Sequence, residues 1–299
     1  MRVAALLLGL AIGCAGSRGF DPVVGDPQLD AAHPARTHQV VFASAGARMF
    51  GVLYEAGGPG PHPTAIVLHG FPGDERNLDL AQAIRRSGWN AVFFHYRGAW
   101  GSEGRFGFVH VLEDVRAVVD GLSAPEFAAA HRVDPRRIAL VGHSMGGFAA
   151  LLSAAELSDV DCVASLAGAN LGLWDPALAS PEAAAQIAGR LDAWRGPIQT
   201  PGRELTAEVR EHAARFDIRR HAATLAGKPT LLIAGARDEV TPPALHHEPL
   251  VAAIAAESGA SLESHVLDAD HAFADRRVEL TRLVVGWLAG RCTEPGRAG

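Results

Sequence analysis

Short apolar runs of strand length alternate with amphipathic helical stretches along most of the chain, and this alternation restricts the fold more than any other feature. The runs "TAIVLHG", "NAVFFHY" and "RIALVGH" are nearly continuous apolar strands, and segments with helical spacing separate them. Strands that are apolar on both faces and alternate with helices form a parallel sheet covered on both sides. The sequence therefore predicts an α/β fold with a mostly parallel sheet and helices on both faces.

Two regions depart from this alternation. Before residue 57, "HQVVFAS" and "RMFGVLYEA" are β-rich segments joined by a short "AGA" turn, which predicts an antiparallel hairpin. Between the strand "VDCVASLAG" and the strand "KPTLLIAG", residues 169–227 contain helical stretches with Pro and Gly between them. We predict that this insert is a helical cap over the sheet edge, within one domain that extends from residue 38 to residue 292.

The first residues have the composition of an export signal. In "MRVAALLLGLAIGCAG" one Arg precedes an apolar run that is too short to span a bilayer, so residues 1–16 are expected to be a signal peptide. The small residues before Cys14 resemble the lipobox of bacterial lipoproteins, in which that cysteine is acylated; the alternative is a secretory signal cut a few residues later. Residues 17–37 are expected to be a flexible tether. Both alternatives place the mature protein outside the cytoplasm, and the first attaches it to a membrane through lipid.

Charge and spacing argue against several other classes of function. The net charge is −6 and the arginines are scattered among acidic residues, so no nucleic-acid partner is expected. No HExxH or Cys-x-x-Cys motif occurs, and the adjacent His246 and His247 cannot direct both rings at one ion from a regular helix. The segment "GHSMGG" lacks the spacing of a dinucleotide-binding loop. We expect neither a metal nor an organic cofactor.

The two cysteines after Cys14 give no framework of the small secreted type. Cys162 lies in the apolar run "DVDCVASLAG" and is expected to be a buried thiol rather than half of a bridge. Spacing alone leaves a disulfide between Cys162 and Cys292 open.

The pentapeptide "GHSMG", residues 142–146, follows a predicted strand and precedes a predicted helix. In that context a G-x-S-x-G run forms a nucleophile elbow, and side chains at the two glycines would collide with neighbouring backbone. The turn presents a serine oxygen above a helix N-terminus, where amide dipoles favour negative charge. Ser144 is therefore the candidate nucleophile, and a plain strand-to-helix turn is the alternative.

A serine nucleophile needs a base, because its alkoxide is inaccessible near neutral pH. Of the 14 histidines, His271 alone both follows the serine and stands between the last predicted strand and the last helix. The His143 side chain is expected to be directed elsewhere, and His246 and His247 are expected to be surface residues of a helix. His271 is the candidate general base.

The histidine in turn needs an acceptor that holds its tautomer and stabilises the imidazolium. Asp238 lies in "LLIAGARDEVTPP", in a loop after a predicted strand, and Glu239 is its competitor. Asp268 and Asp270 are too close to His271 in sequence to reach its ring easily, so we expect them to shape its loop. Asp238 is the candidate third member of the triad.

The order Ser, Asp, His on alternating strands and helices resembles the α/β-hydrolase superfamily over essentially the whole chain beyond residue 38. Within it, the chain is similar to the dienelactone-hydrolase, feruloyl-esterase and prolyl-oligopeptidase-like branch. This resemblance implies an oxyanion hole built from two backbone amides: that of Met145, after the nucleophile, and that of Phe71, after the pair His69-Gly70. It also implies that Arg97, in "HYRGAWGSEG", is structural and paired with a carboxylate.

The resemblance implies a serine hydrolase that cleaves a small-molecule carboxylic ester through an acyl-enzyme without a cofactor. The alternatives are a peptidase or amidase of the prolyl-oligopeptidase-like branch and a catalytically silent binding protein of the cell envelope. Trp174 and Trp194 lie in the predicted cap. They are predicted either to line the substrate pocket or to form the core of the cap itself.

Overall fold

The computed structural model describes residues 20–292, so the predicted signal peptide and Cys14 lie outside the described residues. Eight strands form one sheet. They are β1 (Arg36–Ser44), β2 (Ala47–Glu55), β3 (His62–Leu68), β4 (Asn90–Phe94), β5 (Val133–His143), β6 (Cys162–Leu166), β7 (Thr230–Gly235) and β8 (Leu262–Leu267). Their order across the sheet is β1-β2-β4-β3-β5-β6-β7-β8.

The sheet is parallel from β4 to β8 and antiparallel only where β2 pairs with β1 and with β4. This confirms the predicted mostly parallel sheet and the predicted hairpin. The hairpin turns through Ala45 and Gly46, whose φ angles of 47° and 81° lie in the left-handed region that glycine tolerates best.

Helices connect the strands and cover the sheet. They are α1 (Leu78–Arg86), α2 (Phe108–Ser123), α3 (Pro125–Ala130), α4 (Met145–Glu156), α5 (Asp175–Leu178), α6 (Pro181–Trp194), α7 (Gly202–Glu211), α8 (Ala213–Phe216), α9 (Ala222–Ala226), α10 (Pro243–His246), α11 (Glu248–Ala255) and α12 (Arg277–Arg291). Short 3-10 turns cover Leu171–Trp174 and Ile218–His221. Among residues 20–292, no helix combines the length and apolarity needed to cross a membrane.

Apolar side chains fill the space on both faces of the sheet. One cluster includes Phe94, Phe108 and Phe148, from β4, α2 and α4. The second includes Ile84 and Leu288, from α1 and α12. Every residue of β3 and β6 is buried, as expected for strands covered on both sides.

The chain between β6 and β7 is helical, as predicted for the cap, and polar contacts hold it against the segment that follows β4. Glu208 of α7 accepts hydrogen bonds from the backbone amides of Phe108 and Val109, each 2.8 Å long, at the first turn of α2. The Thr200 hydroxyl donates to the Phe106 carbonyl oxygen at 2.8 Å. The insert is therefore attached to the start of α2 as well as to the two strands that it joins.

The two cysteines of the folded body form a disulfide, so the expectation of a buried free thiol at Cys162 is wrong. Cys162 begins β6, Cys292 follows α12, and their Cα atoms are 6.0 Å apart. Both belong to the apolar cluster under α12. The pairing arises because α12 packs across this face and ends over the start of β6. A separation of 130 residues gives no local sign of it.

The described part of the predicted tether contacts the folded body. Arg86 of α1 donates hydrogen bonds to the carbonyl oxygens of Pro22 and Val23, 2.6 and 3.2 Å long. Arg282 of α12 pairs with Asp21 at 3.1 Å. Residues 21–23 thus lie against α1 and α12, and β1 begins at Arg36, inside the segment predicted as tether.

Candidate active site

Ser144 occupies a strained turn between β5 and α4. Its φ of 57° and ψ of −120° lie in a region that non-glycine residues rarely adopt. Backbone hydrogen bonds hold it there: its amide donates to the Leu166 carbonyl of β6 at 2.9 Å, and its carbonyl accepts from Gly147 at 2.9 Å and from Phe148 at 3.2 Å. A strained residue fixed by its surroundings is a feature of functional sites.

The glycines around Ser144 leave no room for side chains. A Cβ at Gly142 would overlap the carbonyl oxygen of Gly146, and a Cβ at Gly146 would overlap that of Leu68. The loop after β3 also reaches the serine, since a Cβ at Gly70 would lie 2.9 Å from the Ser144 Cβ. The steric reason predicted for Gly142 and Gly146 is confirmed. The close approach of Gly70 shows that the loop carrying Phe71 lies against Ser144.

Asp238 and His271 meet through one hydrogen bond. His271 Nδ1 lies 2.7 Å from Asp238 Oδ2, where the loops after β7 and β8 come together. The other carboxylate oxygen, Oδ1, accepts from the amides of Val240 and Thr241, each at 2.8 Å. The Asp238 side chain is fully buried, so its acceptor positions are directed at these groups rather than at water.

The surroundings of Asp238 keep it charged. Burial raises the pKa of its carboxyl, but the hydrogen bonds from His271 and from the Thr241 amide, with the charge of His271, outweigh burial and lower the pKa to about 2. The Thr241 hydroxyl, 2.7 Å from Oδ2 and 3.0 Å from the Ala167 carbonyl oxygen, also stands beside the pair. Asp238 can therefore stabilise an imidazolium at neutral pH.

The structure places His143 against His271, contrary to the expectation that its side chain is directed elsewhere. The two imidazole centroids are 4.8 Å apart, and His143 Nε2 donates a 2.8 Å hydrogen bond to the His271 carbonyl oxygen. Burial, with the nearby His271, lowers the pKa of His143 to about 4. A neutral His143 thus supports the loop that carries His271.

The Ser144 hydroxyl makes no hydrogen bond to His271 within the described chain. Serine and histidine of such sites are often loosely arranged without substrate and tighten when it binds. The structure therefore brings Asp238 and His271 together and places Ser144 in the elbow. The hydrogen bond between Ser144 and His271 is not formed.

The acidic competitors of Asp238 lie elsewhere. Glu239 is exposed. Asp268 pairs with Arg237 at 2.8 Å, and Asp270 accepts from the Ala274 amide at 2.8 Å. The last two shape the loop around His271, as predicted.

His247 is buried and His246 is half-buried, so the expectation that both are surface residues is wrong. His246 Nδ1 accepts from the Asn170 amide at 3.0 Å, and His247 Nε2 lies 3.0 Å from the Ser264 hydroxyl. Burial lowers the pKa of both imidazoles, that of His247 to about 4. The helical spacing around them resembled an exposed face because their partners, at the end of β6 and on β8, are distant in sequence.

The amides of Phe71 and Met145 are both available as donors. Neither donates a hydrogen bond to another residue of the range 20–292. Met145 opens α4, and Phe71 follows Gly70, whose close approach to Ser144 is given above. Two free amides on either side of a serine suit a developing oxyanion.

Trp100 supports the Phe71 loop, a role that the sequence did not reveal. Its indole Nε1 donates a 2.8 Å hydrogen bond to the Pro72 carbonyl oxygen. In the same segment, the Phe106 ring packs 5.7 Å from the Phe71 ring. The available signal was strand order: a loop after β4 lies next to the loop after β3 when those strands are adjacent.

Arg97 is structural, as predicted. Its backbone amide and Nε both donate to Asp114 of α2, the former at 2.8 Å, and the guanidinium also pairs with Glu113. Arg97 and Asp114 are buried. This pair joins the loop after β4 to α2.

The two tryptophans of the insert have different surroundings. Trp174 is partly buried, 6.4 Å from the Phe108 ring, whereas Trp194 is 50% exposed at the end of α6. A cleft of about 410 Å³ opens between residues 98–106 and the insert residues Pro197, Gln199 and Thr200. Its lining includes Trp100 and Phe106 but neither tryptophan of the insert.

One cluster in the described part of the chain, His38, Glu55 and His131, has the side chains to hold a metal ion. Glu55 ends β2 beside the start of β4, and His131 precedes β5. The cluster therefore lies at the edge of the sheet opposite the carboxyl ends of β5, β7 and β8.

This sheet, with a strained serine turn after a central strand and an Asp-His pair at the same edge, defines an α/β hydrolase. The chain belongs to the alpha/beta hydrolase family, whose sequence profile matches residues 65–283. An uncharacterized protein of Mycobacterium tuberculosis is 30% identical over 230 residues, which cover 77% of this chain and 71% of that protein.

Solved structures share the fold at low sequence identity. Est1E from Butyrivibrio proteoclasticus is 21% identical with a TM-score of 0.66, over 86% of this chain and 99% of that one. The Pyrococcus furiosus esterase Pf2001 is 18% identical with a TM-score of 0.63, over 86% and 92%. The Pyrococcus horikoshii acylaminoacyl peptidase is 17% identical with a TM-score of 0.65, over 89% and 42%. These likenesses show the fold, and with the family they assign the protein to the hydrolases.

Proposed function

We propose that this protein is a serine hydrolase that cleaves carboxylic esters through an acyl-enzyme on Ser144. The observation that carries the proposal is the 2.7 Å hydrogen bond between His271 and the buried Asp238, at the sheet edge where Ser144 occupies its strained turn. A nucleophile, a base and an acceptor for the base are the three parts that acyl transfer by serine requires.

Each residue has one role in the proposed reaction. His271 Nε2 accepts the Ser144 proton while Oγ attacks the ester carbonyl carbon, and Asp238 holds the imidazole and stabilises its positive charge. The amides of Phe71 and Met145 donate to the oxyanion of the tetrahedral intermediate, and losing one such donor costs about 2.7–4 kcal/mol of barrier. The alcohol leaves with the proton from His271. Water then repeats the attack and releases the acid.

Esters are proposed over amides because their cleavage makes the smaller demand on the site. An amide nitrogen must be protonated as it leaves, which demands close placement of the imidazole, whereas an alkoxide is the better leaving group. One protein with this fold, Pf2001 from Pyrococcus furiosus, carries the name esterase. A peptidase or amidase remains the second hypothesis, since an acylaminoacyl peptidase has the same fold.

The insert is proposed to select the substrate. The cleft between residues 98–106 and the insert includes Phe106, whose ring packs on Phe71, so it borders the proposed oxyanion loop. Apolar and polar groups line it together, as in sites for small molecules. A contact of Trp174 or Trp194 with substrate remains a prediction.

The protein is proposed to act outside the cytoplasm. Disulfides persist in oxidising compartments, and the Cys162–Cys292 bridge is consistent with the predicted export signal. Acylation of Cys14 and attachment to a membrane remain predictions.

The test compares the purified protein with Ser144→Ala on p-nitrophenyl esters of several chain lengths and on matching aminoacyl anilides. Labelling by a fluorophosphonate probe is measured in parallel. Ser153→Ala is the matched control, because Ser153 is a buried serine of α4 whose hydroxyl has no partner in the described chain. Ester turnover and labelling lost only with Ser144 would support the proposal. Faster anilide cleavage would favour the peptidase, and labelling that persists in Ser144→Ala would refute the assigned nucleophile.

A further inference from the structure

Three side chains that could ligate a metal meet at the non-catalytic edge of the sheet, and they come from three separate elements. His38 lies on β1, Glu55 ends β2, and His131 follows α3. One nitrogen of each imidazole and one carboxylate oxygen lie within 4.8 Å of one another. His38 Nε2 is 2.6 Å from Glu55 Oε2, and the two imidazole centroids are 4.7 Å apart.

Arg132 fixes the direction of the Glu55 carboxylate. Its Nε donates to Glu55 Oε1, and its other nitrogens donate to the carbonyl oxygens of Pro34, Ala56 and Gly58. The Glu55 side chain is almost completely buried. Oε1 is therefore committed to the guanidinium, and Oε2, on the side of His38, is left as a single oxygen ligand.

His131 has a buried nitrogen that lacks a partner. Its Nδ1 is buried, and it neither donates nor accepts a hydrogen bond within residues 20–292. The Phe127 ring, with its centroid 4.4 Å away, and the His38 ring hold the imidazole in place. A buried polar atom without a partner requires an explanation, and an unobserved ion is one of the standard explanations.

We propose that His38, Glu55 and His131 form a binding site for a transition-metal ion, with Zn²⁺ as the preferred occupant. Two imidazoles and one carboxylate are a ligand set that proteins use for Zn²⁺, and water completes the tetrahedron. Ca²⁺ and Mg²⁺ prefer oxygen ligands and fit this set poorly. With metal–ligand bonds of about 2.0–2.2 Å, tetrahedral ligand atoms stand roughly 3.4 Å apart. His38 Nε2 and Glu55 Oε2, now 2.6 Å apart, therefore separate slightly around the ion, and the ligand atoms that lie up to 4.8 Å apart move closer.

The site has a structural role, because it lies across the sheet from Ser144 and outside the proposed reaction. β1 and β2 form the terminal hairpin of the sheet, and His131 lies in the connection from α3 to β5. An ion bound by all three residues ties the hairpin to the body of the domain. Binding to the folded state alone raises its stability.

The test titrates tag-free protein with ZnCl₂ by calorimetry and with CoCl₂ by visible absorption, since Co²⁺ d–d bands report coordination number. We expect one ion per chain, with the band pattern of four-coordinate Co²⁺. His38→Gln and His131→Gln should each weaken binding by more than about 100-fold, because the loss of a group that only hydrogen-bonds to a ligand already costs 10–100-fold. Zn²⁺ should raise the thermal unfolding midpoint of the wild type and leave that of both variants unchanged.

The matched control is His265→Gln. His265 Nε2 also lies 2.8 Å from a glutamate, Glu263, but the pair has no third ligand in the described chain. This variant should bind Zn²⁺ as the wild type does. His38 and His131 lie on different elements, so His38→Gln tests the site even if His131→Gln fails to fold. Absence of stoichiometric binding, or binding that survives His38→Gln, overturns the proposal.

Discussion

The catalytic edge of the sheet and the helical insert are built in different ways. At the edge, a Cβ at Gly142 or Gly146 would overlap backbone atoms, and Asp238 is enclosed by hydrogen-bond donors. The insert is held to the start of α2 by a few side-chain hydrogen bonds, chiefly those of Glu208 and Thr200, and it exposes Trp194. The edge depends on backbone packing, whereas the insert depends on side-chain contacts, which also include buried apolar residues such as Leu205 and Phe216 in the main apolar cluster.

This difference separates the type of reaction from the choice of substrate. A rigid sheet that positions reactive groups, combined with variable segments above it, is how one fold supports many activities. Substitutions at the edge should therefore abolish turnover, whereas substitutions in the insert should alter which substrates are turned over. The predictions below test that separation.

The largest expected effect is that of Asp238→Asn. The amide cannot hold His271 in the required tautomer or stabilise its positive charge, so kcat should fall about 10⁴-fold with the fold intact. Ester turnover and circular dichroism are the measurements. Glu239→Gln, which changes the adjacent exposed carboxylate, is the control and should retain full activity. A kcat of Asp238→Asn within tenfold of the wild type would exclude Asp238 from the mechanism.

The three members of the triad could be predicted because their places in the site follow from strand order. The positions of Ser144, Asp238 and His271 after predicted strands place them at one edge of a parallel sheet. The glycines of the elbow follow from local sterics. Each of these residues is recognised from the few residues around it in sequence, and the fold then brings the residues together.

Other parts could not be predicted, because they depend on contacts between distant residues. The burial of His246 and His247 requires partners at the end of β6 and on β8. The Cys162–Cys292 bridge requires the path of α12 across the sheet. Neither periodicity nor spacing contains this information.

The second prediction concerns that bridge. Cys292→Ala should lower the free energy of unfolding by about 2–5 kcal/mol, because the bridge closes a long loop in the unfolded chain. Urea unfolding with and without reductant measures the change. The free energy of unfolding of the wild type in reductant should match that of Cys292→Ala without reductant. Insensitivity of the wild type to reductant, or two reactive thiols in the unreduced denatured protein, would contradict the bridge. Ester turnover below the unfolding transition should be unchanged, since the bridge lies far from the catalytic edge.

The third prediction weakens the attachment of the insert. Glu208→Gln leaves one acceptor for two amides at the start of α2 and removes a negative charge from a helix N-terminus, so stability should fall by about 1 kcal/mol. If the insert selects substrates, KM should rise more for long acyl chains than for short ones while kcat changes little. Glu211→Gln, on an exposed position of the same helix, is the control. Equal changes across all chain lengths would count against a selective role.

The smallest expected effect asks whether the insert and the sheet unfold together. Gly189 in α6 and Gly286 in α12 are exposed, and a Cβ at either would meet no atom within 4 Å. Replacing each by Ala should stabilise its helix by about 0.5–1 kcal/mol through helix propensity alone.

If the domain unfolds as one unit, both substitutions raise the unfolding midpoint equally. If the insert opens first, Gly286→Ala raises the global midpoint, whereas Gly189→Ala only slows amide hydrogen exchange within the insert. The second outcome would give the substrate-selecting region a mobility that the catalytic edge lacks.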